Sequence, residues 1–183
     1  MEYIIFGVAG AGKTALAQAL AEATALPVIE LDEEVARVAG QPVGQILVRE
    51  GTDVALRWQR ELAEQLLSTL PDEDDTEGRI LVLGPEVVTQ PQIQKILSDN
   101  STSRVLVEVT ADLDTLMRRT GLNAPRTVGF GPLRRTFATM VDSYRQAWDG
   151  LEREIMDTTT IEASQNAASL LALVAAARYS KAD

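Results

Sequence analysis

The stretch EYIIFGVAGAGKTALAQAL, residues 2–20, limits what this chain can fold into more than any other part of it. Residues 2–7 are a short run of β-branched and aromatic residues that reads as a buried strand. From Lys13 to about Ala23, the apolar residues Leu16, Ala17, Leu20 and Ala23 recur at helical spacing. Between the two lies GVAGAGKT, which satisfies G-x-x-x-x-G-K-[ST] at Gly7, Gly12, Lys13 and Thr14. The glycines let the backbone turn tightly, so that successive N–H groups from Gly10 through Ala11, Gly12, Lys13, Thr14 and Ala15 can face phosphate oxygens. The helix adds its positive N-terminal end to the same anion. Lys13 can place a point charge on the β- and γ-phosphates, and the Thr14 hydroxyl can ligate Mg2+. The alternative is an ordinary strand-to-helix turn. The strand before the motif and the helix after it favour nucleotide binding with Mg2+, and the motif alone serves GTPases, ATPases, motor-type proteins and small kinases alike.

Composition removes several kinds of chemistry. The chain has no cysteine and no histidine, so disulfides, thiolate zinc sites, Ser-His-Asp triads and histidine bases are excluded. Catalysis must use carboxylates, Lys, Arg, hydroxyls and backbone groups. Seventeen basic against 27 acidic residues give a net charge of −10, a poor match for nucleic acid, which needs clustered Lys and Arg. A small anion in a local basic pocket is compatible with that balance. The first residues lack the basic region of a signal peptide, and no apolar run is long enough to span a bilayer. The expectation is a cytoplasmic protein with a small-molecule acceptor, no nucleic-acid or membrane partner, and a monomeric state.

The 183 residues show no linker and no internal repeat, so one domain covering 1–183 is expected. Pro27 opens a second strand, PVIEL, while RILVLG (79–84) and SRVLVEV (103–109) are near-continuous apolar runs typical of a parallel sheet. A weaker strand is expected near REIMDT. Helices are expected over 13–23, 32–39, 43–50, 53–70, 91–98, 111–119, 132–152 and 164–178. PDEDDTEG (71–78) reads as an acidic surface loop. Alternating strands and helices predict an α/β sandwich with right-handed crossovers.

Length narrows the nucleotide reading, because a phosphate loop at residue 7 of a chain this short suits small-molecule kinases. The NKxD base-recognition sequence of GTPases is absent, as is an apolar run ending in DE. Beyond the loop, three segments resemble the shikimate kinase family. PVIELDEEVARVAGQPVGQILVREG is similar to its second strand, D-x-D pair and following glycine-containing segment. RILVLGPEVV lies where that family has its third strand and a triple glycine, and MRRTGLNAPRT is similar to its R-x-x-x-N-x-x-R-P lid segment. The landmarks cover about 150 residues. The resemblance implies a three-layer sandwich with a five-stranded parallel sheet and P-loop kinase topology, a mobile lid at about 120–132, and transfer of the ATP γ-phosphate to a ring hydroxyl of shikimate.

Carried across by position, the resemblance gives Lys13 and Thr14 the phosphate and metal roles. Asp32 takes the second Asp of D-x-D, which holds the substrate hydroxyls and can accept the proton. Its local alternative is a helix N-cap for EEVARVAG. Glu30 replaces the first Asp and can act on Mg2+ through water. Arg126 matches the lid arginine over the transferring phosphate, and Arg119 the arginine that packs on adenine. The acceptor side departs from the pattern. The first arginine slot holds Leu56, with Arg57 one residue late and Arg60 four residues on. The triple glycine has become Gly84-Pro85-Glu86, which removes an N–H and adds a carboxylate. The late arginine slot holds Ser143, with Arg145 two residues further. Arg57, Arg60, Gly84 and Arg145 are therefore the candidate acceptor contacts alongside Asp32. Drift at loop ends accounts for one such change. Three together point to a different acceptor or a site that no longer catalyses.

Overall fold

The computed structural model describes residues 1–69, 78–99, 103–122 and 130–179. The apolar runs become strands β1 (Glu2–Phe6), β2 (Val28–Glu30), β3 (Arg79–Val82), β4 (Arg104–Thr110) and β5 (Glu154–Asp157). They form one sheet in the order β2-β3-β1-β4-β5, with every pair parallel. The five-stranded parallel sheet matches the expectation. β1 is central and buried along its whole length, which is why EYIIF carries no alternation of polar and apolar residues.

Helices α1 (Lys13–Thr24), α2 (Leu31–Ala39), α3 (Val43–Glu50), α4 (Thr52–Ser68), α5 (Pro85–Val88), α6 (Pro91–Ser98), α7 (Leu113–Arg119), α8 (Phe130–Trp148) and α9 (Ala163–Tyr179) connect and cover the strands. α1 packs against α9, whereas α4 packs against α2, α3, α5 and α6, and α5 meets α8. The sheet thus lies between helical layers. Two differences from the sequence reading stand out. PEVV, given no element from the sequence, is a short helix begun by Pro85 at its first position, where a missing N–H costs nothing. α8 ends at Trp148 rather than 152; Leu151 then turns back, its N–H bonded to the Trp148 carbonyl at 2.9 Å.

From β1 the chain moves first to one side of the sheet (β2, β3) and then to the other (β4, β5). That reversal opens a crevice at the C-terminal end of β1, where ligands of open α/β sheets bind. At the opposite end, register aligns Glu2 of β1 with Arg79 of β3 and Arg104 of β4. The Glu2 carboxylate is only 1% exposed and accepts from Arg79 Nε at 2.5 Å and Arg104 Nε at 2.7 Å. Both guanidiniums also donate to carbonyls at the end of α4, Leu66 and Thr69 for Arg79 and Leu67 for Arg104. Strand and helix are pinned there by one buried carboxylate.

Candidate active site

The loop between β1 and α1 needs its glycines. Gly7, Gly10 and Gly12 have φ of 147°, 80° and 97°, in the region that side chains rarely adopt. At Gly7 a Cβ would lie 2.2 Å from the Val109 carbonyl oxygen, and at Gly10 it would be 3.1 Å from the Leu116 carbonyl oxygen. The loop is therefore pressed against the end of β4 and against α7. Ala11 N–H closes a turn onto the Val8 carbonyl at 3.2 Å, and Gly12 caps α1 with no side-chain hydrogen bond. The first amides of α1 lack helical partners by geometry and face the crevice mouth. This is a cradle for a polyphosphate.

Lys13 leans back over the loop, its ammonium donating to the carbonyls of Gly7 at 2.9 Å and Val8 at 3.3 Å. Burial pulls its pKa below the usual lysine value, and the charges of Glu30, Asp32 and Glu86 oppose that pull. The Thr14 hydroxyl donates to Glu30 Oε1 at 2.8 Å, which brings the two candidate metal contacts together. Among the described residues no three His, Cys, Asp or Glu side chains cluster as a metal site. A Mg2+ ion would rest on Thr14, Glu30 and phosphate oxygens, in keeping with its hard-oxygen preference and retained water. The donor set fits MgATP.

Asp32 is not a helix cap: Glu30 holds that position, and Asp32 lies in the first turn of α2. Its Oδ1 accepts instead from Gln59 Nε2 at 2.6 Å. The two line a cavity of about 250 Å3 with Lys13 and Glu30, and Val82, Leu83, Gly84, Pro85 and Glu86 form its far wall. One carboxylate oxygen of Glu86, Oε1, accepts from the Tyr144 hydroxyl at 2.8 Å. A Cβ added at Gly84 would lie 3.6 Å from Glu86 Oε2 and 3.8 Å from Gln59 Nε2, so those two polar ends converge over Gly84. Tyr144 stacks on Trp148 with centroids 5.8 Å apart and planes 10° from parallel. Burial, then the hydrogen bond and charge of Glu86, push the Tyr144 pKa well above the ordinary phenol value. The phenol is thereby kept in the protonated, donating form at neutral pH.

The arginines named from sequence are elsewhere. The inward stripe of α4 is Ala55, Gln59, Ala63 and Leu67, at four-residue spacing. Arg57 is about 200° and Arg60 about 100° around the helix from Gln59. Arg57 is exposed, and Arg60 faces Glu64 with 3.7 Å between Nε and Oε1. Arg145 donates to the Thr110 hydroxyl and approaches Glu108 Oε1 at 3.8 Å. None of the three lines the cavity, whereas Gly84 does. Arg119 donates to the Gly10 carbonyl at 3.1 Å and to the Thr158 hydroxyl and carbonyl, both at 2.8 Å, tying the loop to the end of β5. In the lid expected at about 120–132, α7 ends at Arg119 and the chain turns at Gly121 with φ 74°; residues 123–129, and Arg126 with them, lie outside the described residues. Gln59 and Tyr144 escaped the sequence reading. Gln59 had a usable signal, a polar residue at the centre of a stripe of small and apolar ones.

Among the described residues no helix is long and apolar enough to cross a membrane. The sequence profile of shikimate kinase matches residues 9–173. Two relatives described as shikimate kinases are those of Saccharopolyspora erythraea, 29% identical over 87% of this chain and 91% of its own length, and of Salinispora arenicola, 28% identical over 94% and 97%. The fold is shared with the shikimate kinase of Acinetobacter baumannii solved in complex with shikimate, at a TM-score of 0.74 and 21% identity over 96% of this chain and 93% of that one. With the phosphate cradle, the paired Thr14 and Glu30 and the adjoining cavity in place, the profile match over nearly the whole domain decides the assignment: the chain belongs to the shikimate kinase family of ATP-dependent small-molecule kinases.

Proposed function

We propose that this chain transfers the γ-phosphate of ATP to a hydroxyl of a small metabolite, with shikimate the leading acceptor. One observation carries the reading: Lys13 from the phosphate loop and Asp32 from the start of α2 line the same small cavity. MgATP supplies the phosphoryl group and the metal charge that offsets its oxygens. The backbone from Gly10 to Ala15 receives the phosphates. The ammonium of Lys13 exchanges its two loop carbonyls for phosphate oxygens. Thr14 and Glu30 would hold the metal, whose charge would offset that of the phosphate oxygens. Gln59 fixes one oxygen of Asp32, which leaves Oδ2 to orient the acceptor hydroxyl and take its proton. Little base strength is demanded when the transition state is loose, so positioning dominates. The family resemblance gives Arg126 the role of covering the transferring phosphate, and Arg119 braces the loop through the Gly10 carbonyl.

A second reading, in which the acceptor is not shikimate, is favoured by one observation. Among the described residues no arginine lines the cavity, and Glu86 does. A bidentate grip on a carboxylate needs the guanidinium fork, which neither Lys13 nor Gln59 replaces.

The test is product detection by 31P NMR after incubation with MgATP and a panel of hydroxylated acceptors that includes shikimate. A new phosphomonoester resonance is expected with at least one of them. ATP binding with no phosphomonoester from any acceptor would overturn the reading. In the same assay Asp32→Asn is expected to lower kcat/KM for the acceptor by about 10²-fold. Gln59→Leu, which frees Asp32 without removing it, should chiefly raise the acceptor KM, by about tenfold. Equal losses in kcat from both variants would contradict the separate roles.

A further inference from the structure

We propose that Glu86, clamped by Tyr144, is the specificity-determining residue of the acceptor cavity: it favours hydroxylated acceptors whose ring substituent is neutral or cationic and disfavours those that bear a carboxylate. The proposal rests on the phosphotransferase reading above in its second form, in which shikimate is not the acceptor, and adds to it the chemical class of the acceptor.

Three observations converge. The cavity wall holds Glu30, Asp32 and Glu86, and its one basic side chain among the described residues is Lys13, which belongs to the phosphate loop. Glu30 is engaged by Thr14 and Asp32 by Gln59, each through a single oxygen. Glu86 is different: it makes no hydrogen bond to the loop or to Thr14 and Glu30, although its charge acts on Lys13. Tyr144 holds its Oε1 at 2.8 Å, and its Oε2 is the oxygen that overhangs Gly84 beside the Gln59 amide. An oxygen so placed accepts a hydrogen bond from a hydroxyl, amide or ammonium group and repels a carboxylate.

The clamp has the mechanics of a built device. Tyr144 is stacked on Trp148, which is 1% exposed and in turn meets Phe6 of β1 edge-on at 5.2 Å. The stacking fixes the direction of the phenol, which holds one oxygen of the exposed Glu86 carboxylate at the cavity wall. Pro85 contributes too. It fixes the backbone before Glu86 and offers no N–H to an acceptor carboxylate. Because Glu86 is solvent-exposed, the interaction is partly screened, so the effect is set near the low end of charge-pair strengths, about tenfold, and shrinks at high salt.

The test uses three acceptors that share the same ring hydroxyls: shikimate, its methyl ester, and the analogue in which an aminomethyl group replaces the carboxylate. Turnover is followed with saturating MgATP, and binding by calorimetric titration of the ADP-loaded protein, for the wild type, Glu86→Gln and Tyr144→Phe. The wild type is expected to prefer the aminomethyl compound to shikimate by about tenfold, with the ester between them. Glu86→Gln should collapse that ratio towards one, with shikimate gaining and the cation losing. Tyr144→Phe keeps the stacking and releases the carboxylate, so it should reduce the ratio without abolishing it. Wild-type preference for shikimate over its ester would overturn the proposal. So would a ratio that Glu86→Gln leaves unchanged, or binding of none of the three. The outcomes separate from those of the underlying reading: that reading fails if no acceptor at all is phosphorylated, whereas this one fails on the order of three compounds and its response to a single substitution.

Discussion

Lys13→Ala is expected to lower kcat by about 10²–10³-fold while leaving the fold in place. The two effects differ in size because the ammonium does different things in the free and the reacting protein. In the free protein it donates to the carbonyls of Gly7 and Val8, partly buried bonds whose net worth to stability is about 1 kcal/mol. In the reaction it faces phosphate oxygens whose negative charge rearranges as the bond breaks, in a crevice already lined by Glu30, Asp32 and Glu86. With the cation gone, those carboxylates would meet the phosphates unopposed. Steady-state kinetics and thermal melting of the same preparation check both parts. A large drop in melting temperature would mean that Lys13 organises the loop rather than the reaction.

Glu2→Ala is expected to be the most damaging single change to stability, costing about 3–5 kcal/mol and lowering the melting temperature by about 10 °C. The reason is not the strength of the salt bridges as such, since a buried ion pair exchanged whole for apolar residues is often close to neutral. It is that removing the centre leaves two half-buried guanidiniums, Arg79 and Arg104, facing each other across β1 with no counter-charge. Both also hold the carbonyls at the end of α4, so strand and helix loosen together. Chemical denaturation of the variant, followed at Trp58 and Trp148, measures the loss. A cost below about 1 kcal/mol, the range of exposed pairs, would show that water reaches the triad.

Much of the fold was legible because local signals and global arrangement agree. EYIIF, RILVLG and SRVLVEV are apolar on both faces, as strands covered by helices on both sides must be, and the glycines of GVAGAGKT mark the strand-to-helix turn. The nucleotide side of the site was legible for the same reason: its residues are contiguous, and the motif states their spacing. The acceptor side is assembled from separate elements, and it is there that the cavity lining departs from the residues named from sequence. The arginine slot at Leu56 made Arg57 and Arg60 the candidate acceptor contacts, but the apolar spacing Ala55, Ala63, Leu67 turns Gln59 inward and both arginines away. Arg145 is drawn to Glu108 and Thr110 at the end of β4. Tyr144 reaches Glu86 across 58 positions, and Arg104 reaches Glu2 across 102. Such pairings follow from topology, and no local pattern announces them. PEVV was passed over because Pro85 was weighed as a lost donor rather than as a helix start.

The central claim is that the phosphate loop drives phosphoryl transfer to an acceptor seated between Lys13 and Asp32. The most direct measurement is the rate of ADP release from MgATP by the purified protein, with and without shikimate and its methyl ester, for the wild type and Lys13→Ala. The account predicts release that depends on an added acceptor and falls by about 10²-fold or more in the variant. ADP release indifferent to either acceptor, or undiminished in Lys13→Ala, would contradict it.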